Sequence, residues 1–465
     1  MTFLTMPQTR PGRFLAAALL LGLVVRVGAL WATRDLGTEI VDEQHYTQIA
    51  TSILDGHGFA WGPGRPTSIR PPLYPGLLAV IFSVTGPMNL QPVRVLQILM
   101  ALATVALVYQ LGRRVFNDSI ACYAAGIFWL YPSLVFFNFT ILTETLFTFL
   151  LVAFVLTAVI VVQRPRWGTA LLCGVTLGLA ALTRSVLWPL PLVLCPLIAL
   201  LVRAPMATRL AMPALVLAGY AVTVGPWAIR NTKLQHVFTV VDTMGGGNFR
   251  MGNYEHTPDE RMWAAVELTG EKNWSYALSQ EFPGREFTEG EKEKWAQKKA
   301  VEYMLAHPGT TARRAAIKFG DFWGLEREFI AGVQKGMYTP PFWLAMIAAA
   351  LTIGVYVAIA LLGGAGVWLA RPEWRTHVIL LLPIVAIMGV HMLAFGHSRY
   401  HLPLMPILIL YASALVWTRP RLSWRTAGLP LLGAAASVTL LAFVWVHQVI
   451  LSDASRIKAF FGHGS

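Results

Sequence analysis

The sequence predicts an all-α polytopic membrane protein of about eleven transmembrane helices, with helices lying along its outer face and a folded extracytoplasmic segment. Three observations predict this. Of the 465 residues, 55% are hydrophobic and 13% charged, about half the charge of a soluble domain, and the mean hydropathy is +0.56. Apolar runs long enough to cross about 30 Å of hydrocarbon recur along most of the chain. Between those runs the arginines fall on alternate loops. An ordinary soluble enzyme and a disordered tail are both excluded.

The spans are read near residues 14–32, 91–111, 119–137, 141–162, 169–183, 186–202, 210–229, 341–369, 377–396, 401–417 and 427–450. The first is too long for the apolar core of a signal peptide and lacks a small-residue cleavage site, so it reads as a span. The run 72–86 is short for a crossing, and charge decides its place. If it stays on one face, segments 1–13, 112–118, 163–168, 203–209, 370–376 and 418–426 share a side. They carry 13 basic residues, all arginine, against the two acids Asp118 and Glu373. Short basic loops of this kind lie in the cytoplasm. This puts the N-terminus inside and makes 72–86 a re-entrant or interfacial helix on the outer face of a cell (inner) membrane.

Three regions follow: an N-terminal transmembrane module 1–229 with a first outer loop 33–90, an extracytoplasmic segment 230–340, and C-terminal transmembrane helices 341–465. The segment 230–340 has 15 basic and 15 acidic residues, like a soluble surface. Helices are expected over 288–306, up to Pro308, and over 310–324. The net charge of +13 belongs to membrane topology and does not call for nucleic acid. Cys122, Cys173 and Cys195 lie in apolar runs and form no disulfide or metal framework.

Candidate chemistry lies on the outer side. Asp42-Glu43-Gln44-His45-Tyr46 opens a surface helix over 43–55, which Gly56-His57-Gly58 ends. Asp42 near the positive end of that helix either caps it or stays ionised as a base. Arg70, ahead of Pro71-Pro72-Leu73-Tyr74-Pro75, either binds a lipid phosphate through paired hydrogen bonds or snorkels to ordinary headgroups. Glu144, Arg184 and Arg399 sit at helix ends, where charge is costly unless paired or facing a polar cavity. Glu144 and Arg184 either form a packing ion pair or meet substrate. Arg26, deep in the first helix, supports neighbouring backbone or carboxylates. Met244-Gly245-Gly246-Gly247-Asn248 lacks the Lys-Ser/Thr of a phosphate loop and reads as a turn. The histidines show no zinc-ligand spacing, and Asn273-Trp274-Ser275 fits a glycosylation sequon.

Together these residues resemble the bacterial GT-C-fold glycosyltransferases, particularly the family 39 group related to protein O-mannosyltransferases and lipid A aminoarabinose transferases. The pattern is Asp42-Glu43-x-x-Tyr46, Gly56-x-Gly58-Phe59, Arg70-Pro71-Pro72-Leu73-Tyr74-Pro75, Thr143-Glu144, Thr183-Arg184, Trp227-x-x-Arg230-Asn231 with Gly245-Gly246-x-Asn248, and Arg399-Tyr400. The resemblance implies a GT-C-type fold, Asp42 as general base and Arg70 on the polyprenyl phosphate, with Arg399 beside it. Glu43, Tyr46, Tyr74, Glu144, Arg184 and His397 are the expected supporting or substrate-binding residues. Two positions depart from the pattern. Ile69 stands where the aminoarabinose transferases have an acid implicated in metal binding, and His45 where they have an arginine. The residues call for no cofactor, no metal ligands are named, and a divalent metal is left open.

The implied reaction is transfer of a sugar from a polyprenyl-phosphate donor to a glycan, lipid or protein acceptor on the extracytoplasmic face. It is an inverting displacement, with the surface helices as the cavity floor and 230–340 as its lid. The sequence has no nucleotide-binding loop, so a lipid-linked donor is needed. Two other readings are a polyprenyl-lipid transporter or flippase and a non-catalytic envelope assembly subunit. Against transport, no pair of interrupted helices recurs in matching halves.

Overall fold

The computed structural model describes residues 9–259, 262–419 and 424–452. Residues 1–8 and 420–423, parts of the first and last arginine-bearing loops, lie outside the described residues. The chain is helical, and its β-pairing among the described residues is one isolated bridge between Ala60 and Pro66.

The first part comprises α1 (Arg10–Ala32), α2 (Val41–Leu54), α3 (Leu73–Thr85), α4 (Leu90–Val115), α5 (Asp118–Leu130), α6 (Pro132–Phe136), α7 (Glu144–Gln163), α8 (Trp167–Ala181), α9 (Pro191–Leu201) and α10 (Met206–Gln235). A middle part follows with α11 (Met244–Met251), α12 (Tyr276–Glu281), α13 (Glu289–Ala306), α14 (Pro308–Phe322) and α15 (Glu328–Gln334). The last part holds α16 (Phe342–Leu369), α17 (Trp374–Leu393), α18 (Met405–Thr418) and α19 (Trp424–His447). A 3-10 stretch, Ser398–Leu404, leads directly into α18.

The protein is a multi-pass membrane protein, but eight helices among the described residues, not eleven, are long and apolar enough to cross. Three expected spans are shorter, and local chemistry explains each. Tyr131 takes extended backbone ahead of Pro132, so 119–137 divides into the 13-residue α5 and the five-residue α6. The run 169–183 ends as helix at Ala181, before Arg184 turns extended. In 186–202, helix begins only at Pro191, leaving 11 residues in α9, or about 16 Å at 1.5 Å per residue. The 13-residue α3 corresponds to the run 72–86 and is likewise short. The glycine run 244–248 also differs from expectation, since it opens the helix α11 and is not a turn.

α7 is the central strut. Its apolar window is 83% buried, as expected of a helix hydrophobic on every face. α8 and α10 pack closely because Gly174-x-x-x-Gly178 and Gly219 let the backbones touch. A Cβ on Gly174 would fall 1.9 Å from Val216 O, and one on Gly219 would fall 2.3 Å from Leu171 O. Gly174→Val is therefore expected to part these helices and destabilise the protein by about 3 kcal/mol. A thermal melt of the detergent-purified protein checks this, and an unchanged melting temperature would refute it. Arg26 serves packing as expected: it donates to Gly22 O at 3.2 Å and Asn138 Oδ1 at 2.9 Å, with its guanidinium 3.5 Å over Trp129.

Candidate active site

α2 is held at its start by Glu43, whose Oε2 accepts from the Glu39 and Ile40 amides at 2.8 and 2.9 Å. Its Oε1 accepts from the Ile141 amide at 2.8 Å, pinning the helix to the segment before α7. Asp42 makes no cap bond and faces Arg70 and Arg399 instead. Gly56 and Gly58, with φ of 78° and 71°, end the helix in backbone that favours glycine.

The loop carrying Arg70 is fixed by a separate set of polar contacts. Glu289 accepts from Thr67 Oγ1 at 2.6 Å and from the Ser68 amide at 2.7 Å. Arg230 donates to Thr67 O and Phe59 O at 2.6 and 3.0 Å, and Ser68 Oγ donates to Asn231 Oδ1 at 2.9 Å. The Leu73 amide bonds Leu182 O at 3.1 Å, tying the start of α3 to the end of α8.

These supports bring five charged side chains together. Arg70 Nη2 donates to Asp42 Oδ1 at 2.6 Å, and Arg399 Nη1 donates to Asp42 Oδ2 at 3.1 Å. Arg399 and Arg184 both donate to the fully buried Glu144, and Arg184 Nε also donates to Thr143 Oγ1 at 2.9 Å. Among these paired groups three guanidiniums face two carboxylates. Arg70 Nε is buried with no acceptor among the described residues, and Glu144 Oε2 is buried with no donor. Arg70 Nη2 also lies 2.8 Å from His45 Nδ1. A guanidinium can only donate, so that nitrogen accepts and His45 is neutral, with its pKa pushed down by burial and by Arg70.

Burial raises the Asp42 carboxyl pKa, but Arg399 and Arg70 outweigh it and hold the value at about 2. An unfolded aspartate titrates near about 3.9. The paired carboxylate therefore favours the fold above that pH, and the contribution is lost as pH falls through about 2.

Asp42, Arg70, Arg184 and Arg399 line a cavity of about 170 Å³, with Tyr46, Tyr400, His391, Ser185, Asn248 and Asp242 also on its wall. Asp42, Tyr46, Arg70, Glu144, Arg184 and Arg399 are thus brought together, with Glu144 behind the wall as their bridge. Three expected residues stand apart. Glu43 is a structural brace, and Tyr74 is buried with its hydroxyl on Gln97 Oε1 at 2.9 Å. His397 accepts the Arg399 amide at Nδ1, 3.2 Å away, and supports the turn from outside the cavity. Asp242 and His391 were not singled out from sequence. An acid three residues before a glycine pair was the available signal for Asp242. His391 lies inside an apolar span and gave none.

The surroundings do not fit a divalent cation. Guanidiniums occupy both oxygens of Asp42, Ile69 supplies no ligand atom, and no group of three His, Cys, Asp or Glu among the described residues is arranged to hold a metal.

Residues 69–229 match the family model described as dolichyl-phosphate-mannose-protein mannosyltransferase. That segment resembles the family. It begins beside Arg70 and runs to the end of the α8–α10 packing, leaving Asp42 and Arg399 outside. A polyprenol-phosphate-mannose–protein mannosyltransferase of Mycobacterium tuberculosis is 32% identical over 159 residues, 33% of this chain and 30% of the relative. The match thus spans under a third of that curated relative's length. Among solved structures, an Archaeoglobus fulgidus oligosaccharyltransferase in complex with zinc and sulfate superimposes with a TM-score of 0.50 at 17% identity, covering 93% of this chain and 52% of that one. ArnT from Cupriavidus metallidurans bound to undecaprenyl phosphate gives 0.49 at 17% identity, covering 90% and 63%. The oligosaccharyltransferase likeness identifies the fold as GT-C-like.

Proposed function

We propose that the protein is a membrane glycosyltransferase that moves a sugar from a polyprenyl-phosphate donor to a hydroxyl acceptor, with inversion, in a cavity on the extracytoplasmic side. The observation that carries the reading is Asp42 held between Arg70 and Arg399 in one cavity, with a buried Arg70 N–H left over. Guanidiniums arranged in this way suit a phosphate monoanion or dianion. An arriving donor phosphate competes with Asp42 for both arginines. Once released from them the carboxylate regains basicity, so the clamp links donor binding to base activation.

In the reaction Asp42 takes the proton of the acceptor hydroxyl, whose oxygen forms a bond to the anomeric carbon. The bond from that carbon to the phosphate oxygen breaks on the opposite face. Arg70 and Arg399 hold the charge that develops on the leaving polyprenyl phosphate. Arg184 acts through Glu144, which it shares with Arg399.

The test is transfer from polyprenyl-phosphate mannose by the purified protein in membranes, the sugar being that of the matched relative. Arg70→Ala should raise the donor KM at least tenfold or so, the loss of a charged hydrogen bond, with kcat falling less. Passage of labelled lipid across vesicles without an acceptor, with Arg70 dispensable for any transfer, would favour transport instead.

A further inference from the structure

Asp242 is the one carboxylate on the cavity wall that forms no ion pair among the described residues, and the fold spends several bonds in holding it there. Val241 O accepts from Trp227 Nε1 at 2.8 Å and from Asn231 Nδ2 at 2.9 Å. On the other side the Thr243 amide donates to Ser68 O at 3.0 Å, in the loop that carries Arg70. Asp242 is thus fixed from both flanks, and the Trp227-x-x-Arg230-Asn231 motif gains a purpose as its mount.

Asp242 as a whole is 8% exposed. It accepts from the Met244 amide at 3.3 Å, and Ser185 and the Gly245 amide hold its pKa down. Asn248, one turn into α11, lies on the same wall. Both oxygens of Asp42 accept from arginines and Glu144 lies behind the wall, whereas Asp242 reaches the cavity with no arginine bonded to it among the described residues. A carboxylate, a hydroxyl and an amide on one wall are a set suited to adjacent hydroxyl groups, because the carboxylate accepts two O–H bonds while the amide both donates and accepts.

We propose that Asp242, with Ser185 and Asn248, binds ring hydroxyls of the donor sugar and so selects its stereochemistry, while Arg70 and Arg399 hold the phosphate. This rests on the glycosyltransferase reading and adds the sugar subsite to it. The groups that face Asp242 agree with the assignment. Burial raises its pKa to about 6, more than Ser185, the Met244 amide and Arg70 lower it, and its charge helps burial raise that of Glu293 on α13. An anion with so little solvation gains from hydroxyl donors that replace the missing water.

The experiment compares binding of two lipids to the purified protein by calorimetry, polyprenyl phosphate alone and polyprenyl-phosphate mannose. Asp242→Asn keeps the size of the side chain and can still accept from the Met244 amide. It should weaken the mannosyl lipid about tenfold, the usual scale for losing a charged hydrogen bond, and leave the bare phosphate lipid unchanged. Ser185→Ala should act in the same direction. Arg70→Ala should weaken both lipids, a pattern a general structural defect at Asp242 would share and a sugar subsite would not. Equal losses on both lipids, or none, would overturn the assignment of Asp242. A wild-type protein that binds neither lipid would instead overturn the phosphate reading beneath it.

Discussion

Asp42→Asn is expected to lower turnover about a thousandfold, the middle of the range for losing a positioned general base, while polyprenyl phosphate binds as tightly as before or tighter. The second half of that expectation distinguishes this site from one in which the aspartate simply helps fold the loop. Arg70 and Arg399 both hold Asp42; in the proposed mechanism the donor phosphate competes for them, and an amide competes less well than a carboxylate. A base that only donated structure would cost donor affinity and turnover together. Single-turnover transfer beside lipid binding separates the two, and near-normal turnover in the variant would remove Asp42 from the chemistry.

Glu144→Gln should produce the largest stability loss of any substitution at the cavity. The carboxylate is fully buried and serves both Arg184 and Arg399. Its neutralisation leaves two guanidiniums without their shared anion, and breaking a buried pair by removing one partner costs about 3–5 kcal/mol. Polyprenyl phosphate can supply an anion to Arg399, so adding it should recover part of the melting temperature in this variant. Thermal unfolding with and without the lipid measures both effects. A melting temperature equal to wild type would show that the arginines do not depend on Glu144.

Much of the fold was legible because lipid imposes a simple demand: long apolar runs must become helices. What was not legible was where those runs break. Tyr131-Pro132 and the prolines Pro189 and Pro191 at the start of α9 divide or shorten helices whose hydropathy reads as continuous, since hydropathy does not register a missing amide. The close approach of α8 and α10 depends on glycines whose partners lie some forty residues away, a distance sequence spacing does not reveal.

The site divides in the same way. Asp42 and Arg70 were readable together because both belong to the one loop between the first two long apolar helices. Glu43 was expected to support the site or bind substrate; neighbours on a helix point about 100° apart, and it turns inward to brace Ile141. Glu144, Arg184 and Arg399 were each conspicuous as charges at membrane depth. Their union through one carboxylate joins residues 255 positions apart and needed the fold. Asp242 was hidden because its flanks, not its own motif, place it in the cavity.

The most direct test is a structure determined with polyprenyl phosphate bound. The account predicts the phosphate within hydrogen-bonding distance of both Arg70 and Arg399, with the Asp42–Arg70 and Asp42–Arg399 bonds opened and the carboxylate turned toward the acceptor side. A phosphate seated elsewhere, with both of those bonds intact, would contradict it.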